Sequence, residues 1–306
     1  MGLRRRRWFG LKRHVKRFLS LPVPHALLRL AATLVPSLRR NGRLPAPARL
    51  AEVAGHVGGA TFVMLDPSRC ENAKQLYWGR GRRLRPDDRL ALDAVAVLAR
   101  RADAFLDVGA YTGLFTLAVA AFAPDVRAHA FEIVPAVADT LEANVARNGL
   151  GRRVTVHRQG IGEDGVTIRI PSGEGGSALP SSSSSRTRSD DGVLASFRSL
   201  DSVSSLLRRG EAVVMKVDVE GTEDAVFRWG KAFLRDFRPD ILCEVLPDAD
   251  AAALEELLLP ARLRTYLVTN RALVAHQHLS PSPDHRDWLF TRRDPEELAA
   301  LGLPVR

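Results

Sequence analysis

Residues 105–113 run Phe105-Leu106-Asp107-Val108-Gly109-Ala110-Tyr111-Thr112-Gly113. An apolar stretch that ends on an acid, breaks at two glycines and passes straight into a helical pattern predicts a strand–turn–helix unit. Glycine at such a turn lets the backbone approach a ligand, and the first N–H groups of the next helix are free to bind it. A dinucleotide-binding turn would carry Gly-x-Gly-x-x-Gly, whereas here the order is Asp-x-Gly-x-x-x-Gly. An acid at the strand end repels a pyrophosphate and suits a ligand with positive charge.

Outward from this unit, strands and helices alternate. Strands are expected over residues 104–108, 127–132, 154–158, 213–218, 240–245, 265–269 and 273–276, with helices over 86–101, 112–123, 135–148, 202–208, 223–237 and 249–258. That order predicts an α/β fold with a mostly parallel, seven-stranded sheet and helices on both faces, whose ligands sit at the carboxyl ends of the strands. Residues 1–43 form a basic extension, 44–102 a lead-in segment with a helix, 103–293 the main domain and 294–306 a C-terminal tail. The stretch 172–191, GEGGSALP followed by a serine run, has no apolar periodicity and reads as a loop excursion, either a plain insertion or a lid.

Two further strand ends carry chemistry. Phe131-Glu132 closes the second expected strand, and an acid there commonly accepts hydrogen bonds from ribose hydroxyls. In Val213-Val214-Met215-Lys216-Val217-Asp218-Val219-Glu220-Gly221, an apolar strand delivers Lys216, Asp218 and Glu220 at alternate positions and then breaks. A base and two acids on a buried strand are costly to desolvate unless they pair or take part in chemistry. Glu244 brings another carboxylate to the same edge. His129, His157, His276 and His278 lie in or beside strands and are expected to be structural. No metal is expected. Cys70 and Cys243 make no disulfide framework, so a reducing, cytoplasmic compartment is the default.

Together these stretches resemble the FkbM family of S-adenosylmethionine-dependent methyltransferases over roughly residues 103–246. The resemblance rests on Asp107-Val108-Gly109-Ala110, Phe131-Glu132, the spacing of Asn144 and Asn148, and Lys216-Val217-Asp218-Val219-Glu220-Gly221-Thr222-Glu223. Asp287-Trp288-Leu289-Phe290 looks like the late strand of such proteins. Tyr111 stands where the family usually has Asn, and Pro135 comes later than the family's Pro after Phe-Glu. The resemblance implies a Rossmann-like class I methyltransferase fold and S-adenosylmethionine as cofactor, contacted by Asp107, Gly109, Ala110, Tyr111, Thr112, Gly113, Phe131, Glu132 and Gly160. It further implies O-methylation of a hydroxyl on a sugar, glycan or secondary metabolite; from position alone, Asp218 is the expected base or orienting group, with Lys216, Glu220 and Glu244 in support. A nicotinamide-dependent oxidoreductase would use the same acid at residue 132 but lacks its glycine signature here, and a non-catalytic ligand-binding or membrane-binding module is the third class.

The formal charge of the 306-residue chain is +10, which by itself suggests a nucleic-acid partner. Its distribution argues against one. Residues 1–43 hold twelve Lys and Arg and no acid, whereas residues 44–306 hold 33 against 35 acids. Trp8, Leu11, Val15, Phe18 and Leu19 recur at helical spacing among the bases. Pro22, Pro24, His25, Arg29 and Pro36 break the apolar part short of the ~20 residues of a spanning helix. Two readings of the extension stand: a basic tail that is solvated or packed on the main domain, and a segment lying on an anionic membrane surface, where each base contributes on the order of 1 kcal/mol.

Overall fold

The computed structural model describes residues 14–35, 37–40, 44–170 and 192–306. The serine-rich stretch, together with Trp8 and Leu11, lies outside the described residues.

The central sheet has eight strands: β3 (Ala104–Val108), β4 (Arg127–Phe131), β5 (Val154–His157), β9 (Val213–Val217), β10 (Asp240–Glu244), β11 (Arg264–Val268), β12 (Leu273–His276) and β13 (Asp287–Thr291). Their order across the sheet is β12-β11-β13-β10-β9-β3-β4-β5. Neighbours β10, β9, β3, β4 and β5 run parallel, and β13 enters antiparallel between β10 and β11. The expected count of seven is corrected to eight by β13. Its run Asp-Trp-Leu-Phe-Thr is buried on both faces and shows no alternation, so the resemblance marks it as a strand while periodicity leaves it out of the seven.

Strand alternation divides the core into two layers. Leu106, Val108, Val213, Met215 and Val217 face one, while Phe105 and Val214 face the other. Asp107 and Lys216 are register partners across β3 and β9, on the same side as Phe105 and Val214. The sheet therefore carries an acid and a base side by side into its centre, just below the carboxyl edge.

The lead-in segment contains a hairpin that periodicity does not reveal, β1 (Glu52–Val57) and β2 (Ala60–Leu65). Its turn is Gly58-Gly59, both at positive φ, the two-residue connection whose twist suits paired strands. Asn144 and Asn148, one turn apart on the helix Pro135–Arg147 and its C-cap, bind the free edge of β2. Asn144 Oδ1 accepts from Leu65 N at 2.8 Å, and Asn148 Oδ1 accepts from Val63 N at 2.8 Å. A helical turn of four residues advances about 6 Å and two strand residues about 6.6 Å, so the two repeats match.

Helix ends shift by one or two residues in several places, and two expected helices differ more. The span expected over 223–237 is two helices, Glu223–Arg228 and Lys231–Phe237, broken where Gly230 packs against Leu200. The span expected over 202–208 is the short helix Leu200–Val203, capped by Ser199, followed by a 3-10 turn. A second sheet, β6 (Gly160–Ile161), β8 (Val193–Arg198) and β7 (Thr167–Ile170), flanks the carboxyl edge. The last residues pack on the body: the helix Pro295–Ala300 opens with a capping box of Asp294 and Glu297, and Arg306 N donates to Leu273 O at 2.9 Å.

Candidate active site

The turn after β3 is fixed by backbone contacts to its neighbours. Gly109 N and Ala110 N both donate to Phe131 O, at 3.1 and 2.9 Å. Gly109 lies at φ 76° with its α-carbon against β9, where an added Cβ would stand 1.8 Å from Asp218 O. No residue but glycine fits. Tyr111 is left-handed, φ 50°, and its N–H donates to Glu132 Oε2 at 2.8 Å. Asn tolerates that conformation better than Tyr. Here the Tyr ring packs against the small apolar cluster of Val134, Val137, Ile170 and Ala195.

A cleft of about 470 Å³ opens above this turn, within the usual range for a small-molecule site. Of the residues the sequence points to, Gly109, Ala110, Tyr111, Phe131, Glu132, Gly160, Lys216, Asp218 and Glu220 line it. Asp107, Thr112, Gly113 and Glu244 do not. Asp107 is buried beneath the cleft, where Oδ2 accepts from Thr116 N at 3.0 Å and Thr116 Oγ1 at 2.6 Å. It anchors the first turn of the helix Leu114–Phe122, and its Oδ1 has no partner among the described residues. Thr112 is buried, its hydroxyl 3.2 Å from Cys70 Sγ and its carbonyl accepting from Asn144 Nδ2. Gly113 caps the same helix against Leu141.

Glu132 presents its carboxylate to the cleft from a buried position. Burial raises its pKa, and the Val134 and Tyr111 N–H bonds oppose the shift. Gly160 lets the chain pass under Phe197 and Ile133, where a Cβ would lie 2.6 and 2.8 Å from their side chains.

On the other side of the cleft, Lys216 Nζ donates to Asp218 Oδ2 at 2.9 Å and reaches Gly109 O at 3.3 Å. Burial alone would lower the lysine's pKa, but Asp218 and Asp107 outweigh it and hold the charge. Burial likewise pushes Asp218 up, and the Lys216 charge and hydrogen bond bring it below the ordinary carboxylate range. Glu244 shares a hydrogen bond with Asp218. Burial and that neighbouring charge push its pKa to about 9, so Glu244 holds the proton and Asp218 the charge. Asp287, the register partner of Glu244, is pushed to about 7 by burial, Asp88 and Asp218.

Several contributors to the site have no role assigned from the sequence. Glu223 is buried and folds back so that Oε1 accepts from Val219 N at 3.3 Å and Gly221 N at 3.1 Å. It fixes the loop in which Glu220 sits at φ 56°. Glu71, Asn72 and Arg83 reach the cleft from the lead-in segment, with Arg83 held by Asn72 at 2.7 Å and Asp88 at 2.8 Å. The four histidines stay outside the cleft lining. His157 stacks on Phe131 and sits 3.2 Å from His129, and His276 meets Trp288 edge-on. Among the described residues no three His, Cys, Asp or Glu stand together as a metal site.

The family model for the methyltransferase FkbM domain matches residues 107–279, more than half of the chain. The chain belongs to the FkbM methyltransferase family. Among solved structures, an O-methyltransferase from Bacillus cereus in complex with SAH is 14% identical, with 66% of this chain and 79% of that one covered, at a TM-score of 0.38. A SAM-dependent methyltransferase from Agrobacterium tumefaciens is 8% identical, covering 79% and 71%, at 0.42. Aeropyrum pernix fibrillarin with bound S-adenosyl-L-methionine is 14% identical, covering 63% and 67%, at 0.37. No curated protein matches the sequence. Membership in the FkbM family carries S-adenosylmethionine as the cofactor. The cleft suits that ligand in chemistry: a glycine turn open to close approach, a buried carboxylate at Glu132, apolar walls from Phe131, Ile133 and Phe115, and an excess of acids for a cation.

Proposed function

We propose that this FkbM methyltransferase O-methylates a hydroxyl on a sugar, a glycan or a small secondary metabolite. The observation that carries the reading is Asp218, a carboxylate held ionised by Lys216 and open to the cleft beside the Gly109 turn. When bound, S-adenosylmethionine supplies a methyl group activated by its sulfonium.

In this reading the turn Gly109–Tyr111, Phe131, Glu132 and Gly160 hold the cofactor, while Asp107, Thr112 and Gly113 shape the turn from below. Asp218 Oδ accepts the hydrogen bond of the acceptor hydroxyl and fixes where its oxygen lies. Positioning of this kind supplies about 7–11 kcal/mol of barrier reduction. As the oxygen gains a bond to carbon its proton becomes strongly acidic, so even a carboxylate of lowered pKa takes it. Lys216 keeps that carboxylate charged beforehand, and Glu244, already protonated, keeps a second negative charge away. Glu220 and Arg83 line the acceptor side.

Calorimetry and turnover test this in sequence. S-adenosylhomocysteine is expected to release binding heat and NAD none. Radiolabelled methyl transfer is then expected to hydroxyl acceptors from sugars and metabolites. Label found on nitrogen or carbon, or heat with NAD alone, would overturn the proposal.

A further inference from the structure

The helix Pro22–Leu34 has one face on the protein and an opposite face that no other described element covers. His25 and Ala32 are buried, and His25 Nε2 lies 2.8 Å from Tyr77 Oη while Nδ1 lies 3.1 Å from Leu19 O. Its ring also packs on Trp78, with centroids 5.5 Å apart. Pro22 and Pro24 fall in the first turn, where a missing N–H costs nothing, so they open this helix instead of breaking it. The segment is thus a docked part of the fold.

Val23, Leu27, Leu30 and Leu34 occupy the other face, 73, 64, 59 and 74% exposed. At about 100° per residue the four fall within an arc of about 60°, opposite His25 and Ala32. Val15, Phe18, Leu21, Val35 and Leu38, in the flanking residues, are exposed as well. Nine of the thirteen large apolar side chains exposed among the described residues belong to this one segment. A patch of that size marks an interaction surface.

The charge around it selects the partner. No acid occurs before Glu52, and residues 1–43 carry twelve Lys and Arg. Lys16 and Arg17 are exposed in the same segment as the apolar side chains, whereas Arg29 lies toward the docked side, hydrogen-bonded to Tyr77. A second copy of the chain would bring the same positive charges together, and a nucleic acid would leave the leucines in water. Anionic lipid satisfies both, since acyl chains cover the leucines and phosphate groups meet the bases. No helix among the described residues is long and apolar enough to cross a membrane.

We infer that the face of Val23, Leu27, Leu30 and Leu34 lies flat on an anionic lipid surface and holds the enzyme there from one side. Flotation of the full chain with vesicles tests it. Binding is expected with phosphatidylglycerol-containing vesicles, at least tenfold weaker with pure phosphatidylcholine, and weakened again in high salt. The triple variant Leu27→Glu, Leu30→Glu, Leu34→Glu changes only exposed positions, so it is expected to keep binding S-adenosylhomocysteine while losing at least tenfold in vesicle binding. Equal vesicle binding by the variant, or no flotation of the wild-type chain, would overturn the inference. So would a dimer in solution that the same three substitutions dissociate, which would assign the face to a second copy.

Discussion

Lys216 and Asp218 alternate on one strand and its exit, and Nζ lies 2.9 Å from Oδ2 with the ammonium buried and the carboxylate facing the cleft. One residue supplies charge from below and the other delivers it to the surface. Asp218→Asn keeps the shape and removes the proton acceptor. Turnover with the acceptor is expected to fall about 10²–10⁴-fold, with the affinity for S-adenosylhomocysteine within a few fold of wild type. Calorimetry beside single-turnover kinetics separates the two, and full turnover in the variant would exclude Asp218 from the chemistry.

The pair of Asp218 and Glu244 sets a pH dependence. An acid with a raised pKa keeps in the folded chain a proton that the unfolded chain has already lost, so stability falls as pH rises between the ordinary value of 4.5 and about 9. Asp287 adds to the fall between 3.8 and about 7. Asp218, shifted down, contributes nothing to the slope above its ordinary value. The melting temperature is therefore expected to drop from neutral to alkaline pH, and Glu244→Gln to flatten the drop above about 7. Activity is expected to decline as Glu244 ionises near pH 9, a limb that Glu244→Gln removes. Melting curves and rate profiles on both proteins provide the check.

The strand–turn–helix at Gly109 and the alternation of strands and helices along the chain were legible because period and glycine placement are local signals. The place of Asp107 was not. Its spacing points at a ligand, but register against Lys216 and the two bonds from Thr116 draw it under the cleft. Glu223 closes the stretch that carries the family resemblance, but its role is not legible there, and only the fold-back of the loop shows it bonding Val219 and Gly221. The hairpin of β1 and β2 escaped because the residues that satisfy its edge, Asn144 and Asn148, lie about 80 positions along the chain.

Those two asparagines make a stability prediction. Asn144 is wholly buried and bonds Leu65 N and Thr112 O, joining the lead-in hairpin to the cofactor turn. Asn144→Ala leaves both backbone groups unpaired, at about 1–3 kcal/mol each. Denaturant unfolding is expected to show a loss of about 2–5 kcal/mol. Asn144→Asp keeps the acceptor for Leu65 but loses the donor to Thr112, so it should restore only part of the loss. A change below 1 kcal/mol for Asn144→Ala would mean that the hairpin edge is held by other contacts.

Gly109→Ala tests the turn itself. The new Cβ would sit 1.8 Å from Asp218 O, and φ 76° is a conformation that an L side chain rarely adopts. Either β3 and β9 separate at their carboxyl ends or the turn flips, and both move the Ala110 N–H away from Phe131 O and the floor of the cleft with it. The left-handed conformation alone costs about 1–2 kcal/mol, and the collision adds to that. A lower melting temperature is expected together with at least a hundredfold loss of S-adenosylhomocysteine affinity. Gly165→Ala supplies the control: φ there is 75° but nothing lies within 4 Å of the new Cβ. It is expected to carry the backbone penalty without the loss of binding. Equal binding by Gly109→Ala and Gly165→Ala would show that close approach at residue 109 is not what the cofactor needs.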